Sequence, residues 1–341
     1  MDNVRSVLER MSLDDNEQWN SAILPMETKG SIKAFGMQED SDNFFVTYSS
    51  FLQPSTLYYI EGKSLKLLEL QKLPEKFDAT KLKVEQHFAT SKDGTKASYF
   101  LVMNKNTTLD SKNPTLLYGY GGFEVSMRPY YSSLLGKAWL ENGGVYALAN
   151  IRGGGEYGPK WHQAALKEHR QKAYEDFEAI ARDLIQRKIT SPKHLGAQGG
   201  SNGGLLVGNM ITRSHELFNA IVCQAPLLDM KRYNKLLAGA SWMAEYGNPD
   251  IAEEWEYIKP FSPYHNLNKD TSYPKVLFTT STRDDRVHPG HARKMVAKMK
   301  SMGHDVLYYE NIEGGHGGAA DNNQVAHLYA MAYSYLFEQL K

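Results

Sequence analysis

Gly199-Gly200-Ser201-Asn202-Gly203 constrains this chain more than any other stretch. An apolar run, Ile189 to Ala197, precedes it and another, Leu205 to Ile211, follows, which is the order of a strand, a sharp turn and a helix. In a G-x-S-x-G pattern the small residues let the chain reverse so tightly that the serine takes a strained backbone angle and holds its hydroxyl clear of the sheet. A serine hydroxyl is a weak nucleophile alone. It needs a histidine to take its proton, an acid to hold that histidine and donors for an oxyanion.

Strands alternate with helices from Lys83 onward. The strand signals are Val84 to Ala89, Ala97 to Met103, Thr115 to Tyr120, Val145 to Ile151, His194 to Gln198, Ala220 to Gln224, Val276 to Thr280 and Asp305 to Tyr309. Helical spacing marks Tyr174 to Arg187, Gly204 to Thr212, Ala292 to Met302 and Gln324 to Leu340. This alternation predicts an α/β fold, a mostly parallel sheet with helices on both faces. Sites in such sheets lie beyond the carboxyl ends of the strands, and Ser201 directly follows one.

The strand ending at Thr280 is followed by Ser281-Thr282-Arg283-Asp284-Asp285-Arg286-Val287, and the one ending at Tyr309 by Glu313-Gly314-Gly315-His316-Gly317-Gly318. The resulting order Ser, Asp, His, each on a loop after a strand, is that of an α/β-hydrolase. Each piece has a plainer reading. With 28 glycines the serine motif can arise by chance, the aspartates can be a solvated loop, and His316 a structural loop residue. The order of all three favours the hydrolase. A metal site of Asp284, His288 and His291 is the weaker alternative, because His288-Pro289-Gly290-His291 reads as a helix start; no metal or cofactor is expected.

The backbone N–H of Asn202, next after the serine, is the first oxyanion donor this fold would use, and the glycine turn Tyr118-Gly119-Tyr120-Gly121-Gly122-Phe123 is where it draws the second. Ile151-Arg152-Gly153-Gly154-Gly155-Glu156-Tyr157-Gly158 looks like a phosphate loop but lacks the Lys-Ser/Thr, so it is expected to be a structural turn near the site.

Charge excludes one class of partner. Lys+Arg and Asp+Glu both number 39, without a long basic run, so nucleic acid is not expected. No apolar run reaches membrane-spanning length, and Met1 to Asn20 is charged, so the chain as written is expected to be soluble and cytoplasmic. The lone Cys223 sits in the apolar run Ala220 to Ala225 and reads as a buried strand residue.

Together, Asn113 to Phe123, Ala149 to Gly158, Gly199 to Leu206, Asp284-Asp285-Arg286-Val287 and Gly315-His316-Gly317 resemble the catalytic domain of the prolyl oligopeptidases, S9 serine peptidases, from about residue 75 to the C-terminus. The resemblance implies cleavage after proline in short peptides. It assigns Ser201 as nucleophile, His316 as general base and acid, and Asp284, rather than Asp285, as the group orienting the imidazole. Tyr120 would offer its phenol to the oxyanion beside the Asn202 N–H, Arg286 would bind a substrate carbonyl, and Trp242 would stack on the proline ring with Phe123 and Tyr246 nearby. A flat apolar ring against an indole suits proline, since neither face offers a hydrogen bond.

Residues 1–74 differ. Phe44 to Tyr48, Thr56 to Ile60 and Leu65 to Leu68 are short β-rich runs between turn residues, predicting a small antiparallel sheet. Relatives carry a helical segment and a seven-bladed propeller ahead of the catalytic domain, and the resemblance makes this stretch the remnant of the last blade, with Ser49 to Pro54 matching it. The expected division is therefore 1–74 and 75–341. A single blade cannot close a ring, so the site is expected to be uncovered, small esters to be hydrolysed as well as peptides, and the surface left by absent blades to favour a homo-oligomer. The alternatives are a broad carboxylesterase with little peptidase activity and an inactive fragment serving as a binding module.

Overall fold

A computed structural model describes residues 3–27 and 29–341; Met1, Asp2 and Thr28, which the sequence reading of the N-terminal stretch includes, lie outside the described residues. Contacts divide the chain into one unit of Met1–Val84 with Arg128–Lys137 and another of Glu85–Met127 with Ala138–Lys341, a division that falls beyond the composition change near residue 74.

The first unit holds two antiparallel sheets. Strands β1 (Glu9–Leu13) and β2 (Trp19–Ile23) form a hairpin, and β3 (Gly30–Phe35), β4 (Phe44–Ser50), β5 (Thr56–Glu61) and β6 (Lys66–Lys72) form a meander in sequence order. The three predicted runs are β4, β5 and β6; β1 to β3 were not foreseen, because five or six residues mixing charges and serines give no clear alternation. Leu24, Val46 and Ile60 form the centre of its core. Arg10 fastens the hairpin by donating to the carbonyls of Gly62 and Lys63, at 2.7 and 2.8 Å. Met11, Leu13, Trp19 and Ile23 share the hairpin's other face and are exposed.

The second unit is built on an eight-stranded sheet: β7 (Leu82–Thr90), β8 (Lys96–Asn104), β9 (Thr115–Tyr118), β10 (Val145–Asn150), β11 (Leu195–Gly200), β12 (Ala220–Gln224), β13 (Lys275–Ser281) and β14 (Val306–Asn311), in the spatial order β14-β13-β12-β11-β9-β10-β8-β7. Strands β9 to β14 run parallel to one another, and β8 pairs antiparallel with β10. Every residue of β10 is buried, which requires cover on both faces. Leu195, Ala197, Ile221 and Cys223 point into one core cluster with the helices Gln171–Gln186 and Asn202–Arg213, whereas the helix Asn322–Leu340 lies against β11 and β12 and stacks Phe337 on the buried Trp139, 4.2 Å between centroids. The helix Gln171–Gln186 forms because Ala173, Tyr174, Phe177, Ile180, Ala181 and Leu184 fall on one stripe, and it ends where Lys188 turns left-handed at φ 58°. Asp321 caps Asn322–Leu340 by accepting from the Gln324 N–H at 2.9 Å. Between β12 and β13 lie short helical turns, among them Leu237–Trp242 and Met243–Tyr246, too brief for a periodic signal.

Candidate active site

Parallel strands put their outgoing loops on one rim. The loops after β9, β11, β13 and β14 carry Tyr120, Ser201, Asp284 and His316 respectively, so the topology gathers residues far apart in sequence. Ser201 takes φ 59° and ψ −117° between β11 and the helix Asn202–Arg213. That angle costs about 1–3 kcal/mol and persists only where neighbours over-determine it. Here the Ser201 N–H donates to the Gln224 carbonyl at 2.9 Å and the Leu205 N–H to the Ser201 carbonyl at 3.1 Å. A Cβ on Gly199 would run into the Gly203 carbonyl, which is why this turn demands glycine. Cys223 is buried beside it, its thiol donating to the Gly204 carbonyl, and burial pushes its pKa far up, so it stays protonated.

Asp284 is buried and meets His316 Nδ1 with Oδ2 at 2.8 Å and Oδ1 at 3.0 Å. Burial works against its charge, yet the His316 contact and the N–H groups of Arg286 and Val287, both 2.9 Å from Oδ1, outweigh it and hold the carboxyl below its ordinary value. A carboxylate on Nδ1 fixes the proton there and leaves Nε2 as the acceptor of the neutral ring. Asp285 is exposed and does not touch His316. Ser201 and His316 line one cavity of about 220 Å³ with Tyr118, Tyr120, Gln224 and Tyr329. No hydrogen bond joins Ser201 to His316 among the described residues, a separation common where no substrate is bound.

The Asn202 N–H, at the first position of its helix, has no acceptor among the described residues and lies at the positive end of the helix dipole. Tyr120 is raised above its ordinary pKa by burial, opposed by a side-chain hydrogen bond with Ser201, and stays a donor at neutral pH. Its turn is seated on the Ile151 to Gly158 loop. Gly153, at φ 90°, packs so close that a Cβ would sit 2.5 Å from the Gly121 carbonyl oxygen. The loop is held by Arg152, buried between Asp176 (2.7 Å) and Asp93 (2.5 Å), and serves as the structural turn expected of it.

The four expected substrate contacts separate. Phe123, at φ 55°, and Trp242 are half-buried and meet edge to face, 6.4 Å between centroids. Arg286 is exposed, and its charge reaches Tyr120. Tyr246 corrects the expectation: it has no exposed surface, its ring lies against Phe123 at 5.6 Å, and its hydroxyl donates to Asn202 Oδ1 at 2.7 Å, so it backs the ring site rather than facing a substrate. The rejected metal grouping does not converge. His291 is fully buried and accepts N–H bonds from Leu228 and Asp229, while Asp284 is committed to His316. No group of three or more metal-binding side chains occurs among the described residues.

His162, Arg170 and Glu245 escaped the sequence reading. Arg170 and Glu245 are both buried and joined at 3.1 Å, and His162 Nε2 lies 2.7 Å from Glu245. Charged residues of this kind read as surface in a sequence, and no spacing connects them.

Comparison with known proteins gives the following. The profile described as the prolyl oligopeptidase family matches residues 131–341. An uncharacterized peptidase of Sinorhizobium fredii is 51% identical over 322 residues, 94% of this chain and 44% of that protein. A prolyl endopeptidase of Elizabethkingia miricola is 38% identical over 300 residues, 87% of this chain and 42% of its own. Among solved structures, a post-proline cleaving enzyme from Rickettsia typhi matches with a TM-score of 0.90 and 39% identity, covering 100% of this chain and 49% of that one. Prolyl oligopeptidase B from Galerina marginata matches at 0.91 and 30%, covering 99% and 48%. The chain spans about half the length of the curated relatives it matches.

Proposed function

Since the chain belongs to the prolyl oligopeptidase family, we propose that it is a serine hydrolase that cleaves short peptides after proline and also small esters. Ser201 Oγ attacks the substrate carbonyl carbon while His316 Nε2 takes the hydroxyl proton, and Asp284 holds the imidazole and stabilises its positive charge. The Asn202 N–H and the Tyr120 hydroxyl receive the charge that develops on the carbonyl oxygen. His316 then returns the proton to the leaving group, and water hydrolyses the acyl-enzyme by the same route. The proline ring sits against Trp242 and Phe123, and Arg286 binds a substrate carbonyl.

The observation that carries this reading is the 2.8 Å contact of a buried aspartate with a histidine that shares a cavity with a serine held at a positive φ. Esters, whose leaving groups need less help from a well-placed proton donor than those of amides, tolerate imperfect placement of His316, which is the ground for the carboxylesterase alternative. The test is fluorophosphonate labelling followed by p-nitrophenyl butyrate and a Gly-Pro-anilide side by side. Labelling that Ser201→Ala abolishes, with turnover of both substrates, is expected; ester turnover alone would establish the alternative, and absence of labelling would refute both.

The meander β3-β4-β5-β6 supports reading the β-rich N-terminal stretch as containing one propeller blade, four antiparallel strands being one blade. The exposed hairpin face supports self-association. No helix among the described residues is long and apolar enough to cross a membrane. A cytoplasmic setting, with one buried thiol, completes the proposal.

A further inference from the structure

Glu245 touches nothing that reacts, yet it contacts the ring site directly, Asn202 through Arg170, and Tyr120 through Arg170 and Asn202. Its Oε1 accepts from the Phe123 N–H at 2.9 Å and from Arg170 Nη1 at 3.1 Å, and its Oε2 meets His162 at 2.7 Å. Phe123 and Glu124 are consecutive residues at φ 55° and 57°, a strained turn held by the Glu124 N–H on the Gly153 carbonyl at 3.1 Å and the Val125 N–H on the Gly122 carbonyl at 3.0 Å. To these Glu245 adds a side-chain acceptor for the Phe123 N–H. From the other side of the pair, Arg170 Nη2 donates to Asn202 Oδ1 at 2.6 Å. That oxygen also receives the Tyr246 hydroxyl, and Asn202 Nδ2 donates to the Tyr120 carbonyl at 2.6 Å. One buried carboxylate thus braces the backbone of Phe123. Through one guanidinium it also braces Asn202, and through Asn202 it braces Tyr120.

We propose that Glu245 and Arg170 are positioning residues that set the proline-ring site and the oxyanion donors as one rigid body, so that ring binding and transition-state stabilisation are coupled. This rests on the hydrolase reading above. A guanidinium without its carboxylate partner cannot keep its fork aimed at Asn202, and a Phe123 N–H without its acceptor releases the turn.

The two residues make separable predictions. In Glu245→Leu, which removes both oxygens that accept from Phe123 and Arg170, kcat is expected to fall about tenfold or more on both a Gly-Pro-anilide and p-nitrophenyl acetate, because both need the oxyanion donors. KM is expected to rise for the proline substrate only, because the acetyl group does not use the ring site. In Arg170→Lys, which keeps a buried cation beside Glu245 but loses the fork to Asn202, kcat should fall on both substrates while KM for the proline substrate holds. Kinetics on the purified chain, with thermal unfolding to confirm folding, read this out. Wild-type kcat in a folded Arg170→Lys, or equal changes in KM for both substrates in a folded Glu245→Leu, would overturn the coupling. A wild-type chain that neither labels with fluorophosphonate nor turns over either substrate would instead bring down the hydrolase reading, and this inference with it.

Discussion

Along β4 only Val46, Tyr48 and Ser50, every second residue, are buried, whereas along β10 all six residues from Val145 to Asn150 are. The first sheet is covered on one side by a core centred on Leu24, Val46 and Ile60; the second lies between helical layers. The difference bears on where chemistry can be built. Ser201 and Phe123 are held at positive φ in the second unit, where dense packing and bonds such as Ser201 N–H to the Gln224 carbonyl over-determine the backbone. The second unit exposes its large apolar side chains at scattered places such as Leu109, Leu237 and Ile312, whereas the first unit groups Met11, Leu13, Trp19 and Ile23 on one face of a hairpin, the face proposed above for association.

Three experiments can break that contrast. The largest expected effect lies at the rim of the second sheet. Asp284→Asn should lower kcat about ten-thousandfold by leaving His316 in the wrong tautomer, while Asp285→Asn, one residue away and exposed, should leave kcat within about twofold. Similar losses in both would show that burial does not select the working carboxylate.

Acid should separate the two units next. Burial holds the fully buried His291 neutral, its pKa lowered to about 4 from an ordinary 6.5. Between those values the unfolded chain takes up a proton that the folded chain refuses, so stability falls as pH drops from 6.5 toward 4, by on the order of 3 kcal/mol at most. None of the 11 histidines lies in the first unit, which therefore has no such loss. Denaturant midpoints across this range, read by tryptophan fluorescence in a Trp19→Phe background so that the remaining tryptophans all report the second unit, should shift less in His291→Gln; an unchanged slope would remove His291 from the account.

The smallest effect concerns the hairpin. Trp19→Glu should reduce the apparent mass of the chain at high concentration in light scattering while leaving ester turnover unaltered. A monomeric wild type at every concentration would deny the exposed face any role in association.

Much of the second unit was legible because its signals are local. The eight strand runs and four helix stripes each declare themselves within a dozen or so residues, and Ser201 within five. The first unit was half legible, since β4 to β6 are aromatic-rich and β1 to β3 are not. Tyr246 was misplaced because an aromatic beside Trp242 reads alike whether it faces a ligand or stands behind another ring, and Glu245 was missed because a buried glutamate in a four-residue helical turn has no pattern of its own.

By itself, the order of residues along the chain settled the α/β class, the serine at its turn, and a histidine and an aspartate pair on later loops, because strand, turn and helix preferences act over short stretches. The family motif, not any local preference, singled out Asp284 over Asp285; only the tertiary structure shows the physical reason, the burial of Asp284 against His316, and decided which rings are open to a ligand and that Arg170 and Glu245 are joined beneath the site. Those outcomes depend on burial and on distances between segments dozens of residues apart, quantities that come into being when the sheet assembles and its loops meet at one rim.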